Sequence, residues 1–289
     1  MADAATLTRV DLEHRRQQAE LAQRIARLIQ GYWLTVDPTD LSGTGAPWLR
    51  QSVEAITAGR RNSALLASAY AETIHQLQVP RSPRLEIPEL PDVSPEQLYR
   101  SLSFTGLGYA VVNLAKTPEA TPPQPGAVEE DVQRAERELQ SRDEMVAAVM
   151  DQAITNASKA AVKHVVNGAR DLTDALVVTK TALGYYRVTQ SENPCGFCLA
   201  LASRGPVYED DSFEESDERF TGPGKHKVHD GCMCTLRPVF TRSEDEWGDQ
   251  ARAADSLWRT HGVARDGRSA MENFRRQAKL LGIADANRW

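Results

Sequence analysis

Cysteine is absent from residues 1–194 and again from 235–289 of this 289-residue chain; all four lie at Cys195, Cys198, Cys232 and Cys234. That confinement excludes a disulfide framework spread along the chain and points to one shared site of metal or redox chemistry. Long apolar runs are missing too. Stretches such as Tyr109-Ala110-Val111-Val112-Asn113-Leu114-Ala115 fall far short of the roughly 20 residues a transmembrane helix needs. The start, Met1-Ala2-Asp3-Ala4-Ala5, has neither a basic opening nor an apolar core to follow it, so no secretory signal is read and synthesis in a cytoplasm is expected. A surplus of positive charge is also lacking: 34 Lys and Arg against 40 Asp and Glu give a net charge of −6, which removes any global attraction for nucleic acid. Only the C-terminal stretch is locally basic, with Arg259, Arg265, Arg268, Arg275, Arg276, Lys279 and Arg288, and a solvated helix face accounts for it. No repeat of solenoid period is present.

What is there is mostly helical. From Thr6 to Tyr32 the residues favour helix, with Leu21, Ile25, Leu28 and Ile29 on one stripe; Pro38 and Ser42-Gly43-Thr44-Gly45 are expected to end it. A second helix carries Val53, Ile56, Leu66, Tyr70, Ile74 and Leu77 up to Pro80. Pro80, Pro83, Pro88 and Pro91 predict an extended connector, and Ser94-Pro95 with Gln97 predicts a helix start closed by a capping box. Pro118, Pro122, Pro123 and Pro125 with Gly126 form the clearest internal break. Residues 128–167 contain neither proline nor glycine, and Val132, Leu139, Val146, Met150, Ile154, Ala157 and Ala161 share a face, so a long helix ending at Gly168 is predicted. A further helix is expected over Asp171 to Ala182. Tyr185 to Thr189, Val228 and Thr235 to Phe240 then read as short strands, and the tail returns to helix around Trp247, Leu257 and Trp258 and around Met271, Phe274, Leu280 and Leu281.

The cysteines stand as Cys195-Gly196-Phe197-Cys198 and His229-Asp230-Gly231-Cys232-Met233-Cys234. A Cys-x-x-Cys knuckle chelates one ion with two thiolates, and a second knuckle completes a tetrahedron, for which Zn²⁺ is the default. Five candidates compete for four positions. The set is Cys195, Cys198, His229 and one of Cys232 and Cys234, with Cys234 preferred for its reach along a short strand; or it is all four cysteines, with His229 supporting them. Two other readings are weaker. Simple burial of small apolar cysteines does not explain their clustering. A redox Cys195–Cys198 pair at a helix start accounts for one pair only. The intervening Glu209, Asp210, Asp211, Glu214, Glu215, Asp217 and Glu218 read as a solvated loop.

Taken with Leu201-Ala202-Ser203-Arg204-Gly205, Val207-Tyr208 and Pro238-Val239-Phe240, these motifs resemble the Mu F-like minor head protein domain of tailed bacteriophages, in the form found in phages of actinobacteria. The likeness spans residues 185–240. Where that family commonly has proline after the histidine and arginine between the last two cysteines, this chain has Asp230 and Met233, which spares the metal site and puts any role of that arginine in doubt. The resemblance implies a low-copy structural protein of the virion near the portal vertex, made in the host cytoplasm. Its implied partners are the portal and other head proteins, with packaged DNA as a further candidate contact and no membrane.

Products of this kind are also labelled capsid maturation proteases. Against that, the chain has no Gly-x-Ser-x-Gly elbow and no His-Glu-x-x-His helix, and Ser203 is the one serine near the cysteines worth naming. A His-Asn-His nuclease would need a second histidine pair on its own ββα unit. His14, His75, His164, His226 and His261 read as helix-face or loop residues. The expectation is a non-enzymatic head protein with one structural Zn²⁺ per chain, and the protease is the main alternative. The expected fold is α+β, mainly α. It comprises a helical region 1–125, a long helix and connecting helix 126–184, a zinc-binding module of short strands 185–241, and a helical tail 242–289.

Overall fold

The computed structural model describes residues 4–90, 93–119, 128–189, 194–206, 228, 230–242 and 249–283. The acidic loop, His226, His229, Val207-Tyr208, Trp247, Arg288 and the centre of the second proline cluster lie outside the described residues. The fold is α+β and mainly α, with one two-stranded sheet among the described residues.

Three long helices make the body: α1 (Ala4–Trp33), α2 (Leu41–Gln78) and α5 (Glu129–Val178). Between α2 and α5 come α3 (Pro95–Leu102), a π-helical turn (Ser103–Gly108) and α4 (Tyr109–Leu114). The main core joins Leu21, Ile25, Ile29 and Trp33 of α1 to Trp48, Val53 and Ile56 of α2 and to Ala153, Ala157, Ala161 and Val165 of α5; Leu98 and Leu102 of α3 cap it. Alanines on α5 let it lie close to its neighbours, while the bulk comes from α1 and α2. Leu28, expected on the buried stripe, faces solvent, and Trp33 takes that role by packing edge-on against Trp48 at 4.8 Å.

Several boundaries differ from the sequence expectation. Ser42-Gly43-Thr44-Gly45 opens α2 instead of closing α1, because the Asp40 carboxylate caps the helix by accepting the Gly43 N–H at 2.9 Å. Pro47 falls within that helix beyond its first turn, so the helix runs there without the hydrogen bond that an N–H at this position would give to the Gly43 carbonyl. Ser94 caps α3 without a side-chain bond, so the expected capping box does not form. The one box among the described residues is at Ser269–Glu272. Gly168 does not end the long helix, which runs on through the segment expected to be separate. Its purpose is steric: a Cβ there would stand 2.1 Å from the Arg60 carbonyl oxygen, so glycine is what lets α5 cross α2 so closely.

Strands β1 (Gly184–Val188) and β2 (Thr235–Val239) pair antiparallel, with Tyr186 opposite Arg237 and Arg187 opposite Leu236. Val228 lies outside both strands. Every residue of the ribbon is buried. One face packs Tyr185 and Leu236 on Leu172 and Leu176 of α5, and the alternate residues Tyr186 and Arg237 reach Asp11 of α1. The ribbon therefore packs into the helical body on both faces. Helices α6 (Gly196–Ala202), α7 (Asp249–His261) and α8 (Ala270–Leu280) gather around Leu199, Ala254, Leu257 and Phe274. On α7, Arg259 is exposed and paired with Asp255 at 2.9 Å, as a solvated face would have it.

Candidate metal centre

The two cysteine pairs meet where α6, the start of β2 and the middle of α5 converge. Cys195 is the N-cap of α6, and its Sγ accepts the Cys198 N–H at 3.2 Å, the local geometry of a knuckle. Across from it, Gly231 turns the chain at φ +76°, a left-handed conformation that glycine adopts without strain, and donates its N–H to the Lys159 carbonyl at 2.7 Å. That turn presents Cys232 and Cys234 from the same side.

The sulfurs of Cys198, Cys232 and Cys234 lie within 4.8 Å of one another. Cys198 and Cys232 are 3.5 Å apart, and Cys232 and Cys234 are 3.1 Å apart. Sulfurs at about 2.3 Å from a tetrahedral ion are separated by roughly 3.8 Å, so these three need only a slight expansion to hold one. Thiolates are soft donors that suit zinc and disfavour magnesium or calcium. All four cysteines are buried and unbridged, and Phe197 and Leu201 pack among them, with Val228 and Met271 at the edge. Of the set preferred from sequence, Cys198 and Cys234 fall in the tight group, Cys195 stands beside it, and His229 lies outside the described residues. Cys232, left out of that preferred set, is in the group.

The sequence reading missed two arginines. Arg170 of α5 is wholly buried; it donates to the carbonyls of Cys232 (3.0 Å) and Cys234 (2.8 and 3.1 Å), and Asn167 accepts from it at 2.6 Å. Arg187 of β1 donates to Cys234 Sγ at 2.7 Å. Burial works against the charge on Arg187, but Cys234, Cys198 and Cys232 outweigh it and hold its pKa above the usual value. Hydrogen bonds from Cys198 and Cys232, with the charges of Arg187 and Arg170, hold the Cys234 thiol well below the ordinary range. A charged residue in the middle of a fully buried ribbon was the available signal for Arg187, since such a group needs a partner. At the rim, Lys163 and Asp230 form an ion pair at 2.5 Å.

Ser203 is buried, with its hydroxyl donated to the Ala200 carbonyl at 2.7 Å. His14 stacks on Tyr70 at 4.0 Å, His75 packs edge-on against Phe240, and His164 shares a hydrogen bond with Ser101 at 2.9 Å. Among the described residues none of these is joined to Ser203 as a base. No helix is long and apolar enough to cross a membrane among the described residues.

No curated protein and no solved structure matches the chain. A family comparison does match: residues 103–261, more than half the chain and the whole of the cysteine region, correspond to the VG15 protein. From the π-helical turn to the end of α7, the chain belongs to the VG15 protein family, a family of phage proteins.

Proposed function

We propose that the chain is a minor capsid, or head morphogenesis, protein of a tailed phage, held near the portal vertex in the virion and acting in head assembly and genome packaging or delivery. Its cysteine centre carries one structural zinc. The observation that carries this reading is the burial of the sulfurs: Cys195, Cys198, Cys232 and Cys234 are each no more than 6% exposed, and arginines and apolar side chains surround them. An ion placed there would fasten α6 and its neighbours to α5 and would have all its positions filled by protein, as structural zinc does. The Mu F-like spacing of the cysteines and the viral family support the same assignment.

Mass spectrometry of purified virions, with elemental analysis of the isolated chain, tests it. The expected result is an intact chain retained in mature heads at low copy, with one zinc per chain. Loss of the chain on maturation, with processed head proteins left behind, would favour the maturation protease instead.

A further inference from the structure

The identity of the fourth ligand can be argued from charge, on the understanding that a divalent ion occupies the centre as proposed above. With four thiolates, the ion and its ligands carry −2; with three thiolates and a neutral imidazole they carry −1. Burying net charge in a protein interior is costly unless an opposite charge is buried with it. The fold has already buried such opposite charge. Arg170 is 0% exposed and Arg187 3%, and both guanidiniums are directed at the Cys232–Cys234 segment. An arginine does not lose its proton to escape burial.

The other charged groups nearby among the described residues leave that balance unchanged. Lys163 and Asp230 neutralise each other at the rim. Arg275 lays its aliphatic stem on Gly196 and is part-exposed, so solvent screens its head group. Asn167, which accepts from Arg170, is neutral. Lys159 lies beside Gly231 but is exposed, so solvent screens it. Among the described residues two buried cations therefore face the centre: with them, four thiolates make the assembly neutral, whereas three thiolates and an imidazole leave it at +1.

We infer that Cys195, Cys198, Cys232 and Cys234 together hold the metal, that Arg170 and Arg187 are its built-in counter-charges, and that His229 is not a ligand. Cys195 stands next to the group of three sulfurs, outside the 4.8 Å that encloses them; it packs in the same buried cluster, and its sulfur already accepts the Cys198 N–H, so an ion would have to draw it in.

Zinc-edge X-ray absorption on the purified full-length chain reads the ligand set directly. Four sulfurs at about 2.3 Å are expected, with one zinc retained in His229→Ala. Three sulfurs with one nitrogen near 2.0 Å, or loss of zinc in His229→Ala, would overturn the ligand set. The counter-charge role is read from zinc affinity in chelator competition: Arg187→Gln should weaken binding by about tenfold or more, and Arg187→Lys, which keeps the charge, should recover most of it. Affinity unchanged in Arg187→Gln, or equal loss in the glutamine and lysine variants, would remove that role. A wild-type chain that binds no zinc would instead refute the structural-zinc reading on which this inference rests.

Discussion

Asp11 on α1 and Arg237 on β2, 226 residues apart in the chain, form an ion pair at 3.2 Å with both side chains buried. The same carboxylate accepts the hydroxyls of Tyr70 at 2.6 Å and Tyr186 at 2.9 Å, and the Arg237 guanidinium lies 4.0 Å over the Tyr186 ring. One carboxylate thus fastens α1, α2 and both strands together. Removing Asp11 takes this acceptor from a buried guanidinium and two buried hydroxyls at once, whereas removing one hydroxyl leaves the carboxylate its other partners. Asp11→Ala is expected to cost about 3–5 kcal/mol, and Tyr70→Phe or Tyr186→Phe about 1 kcal/mol each. Urea unfolding would measure this, and the paired tyrosine variant should depart from additivity because both hydroxyls share one acceptor.

The neighbour of that cluster makes the body acid-sensitive. His14 is buried against Tyr70, and desolvation lowers its pKa from 6.5 to about 3. The folded protein therefore holds His14 neutral over a range in which the unfolded chain takes up a proton. Stability is complete above pH 6.5 and falls as the pH drops from there toward 3, by a few kcal/mol at most at roughly 1.4 kcal/mol per unit. His164, lowered to about 4 chiefly by desolvation, adds in the same direction. In thermal melts from pH 7 to pH 4, His14→Phe should flatten the pH dependence. An unchanged slope would show that His14 does not contribute to it.

Gly168→Ala tests the crossing of α5 over α2. The added methyl meets the Arg60 carbonyl, which is backbone and cannot swing aside. Separating the helices would also disturb the Ala169 N–H to Ser63 hydroxyl bond and the Arg60–Asp171 ion pair beside it. A loss of about 1–3 kcal/mol or more is expected in denaturant unfolding, although alanine is intrinsically the better helix former.

Periodicity made the helices and strands legible in the sequence wherever one face is apolar: Leu21, Ile25 and Ile29 are buried as their spacing requires. It failed where a buried stripe is polar. Leu7, Asp11, His14, Gln18 and Leu21 follow one another on a single face of α1, and all are buried, yet three of them look like surface residues. Gly168 was misread because a close helix crossing and a helix end both call for glycine, and only the partner backbone tells them apart. The cysteine site was legible because chelation imposes short spacings. Arg170 was not, because it approaches the cysteines from 62 residues away.

Chelation has a more local expected effect than the spacing of the cysteines suggests. The ribbon is held by α5 and Asp11 without any metal, whereas α6, α7 and α8 close on the small cluster of Leu199, Leu257 and Phe274. Removing zinc should therefore release amide protection in α6 and the Gly231–Cys234 turn first, leaving α1, α2, α5 and both strands protected. Hydrogen exchange before and after chelator treatment would show this. Uniform loss from Leu21 to Leu257 would mean a single cooperative unit.

The attachment surface can be narrowed by burial. Trp33 and Trp48, large enough to anchor a partner, are spent on the core, and Trp48 also donates its indole N–H to the Ile29 carbonyl at 3.1 Å. Phe104, in the π-helical turn, is 81% exposed, and Val111 and Val112 of α4, which follows that turn directly, are about half exposed. Exposed aromatics of this kind dominate interfaces when they are covered. If this layer meets the portal, Phe104→Asp should abolish capture of the full-length chain by purified portal while leaving its melting temperature nearly unchanged. Trp48→Ala should instead destabilise the fold by about 3–5 kcal/mol. The full chain is required, because α5 supplies Ala153, Ala157, Ala161, Val165 and Val166 to the core against which α1 and α2 pack, and residues 1–125 alone would leave that face bare. Undiminished capture by Phe104→Asp would place the contact on another face.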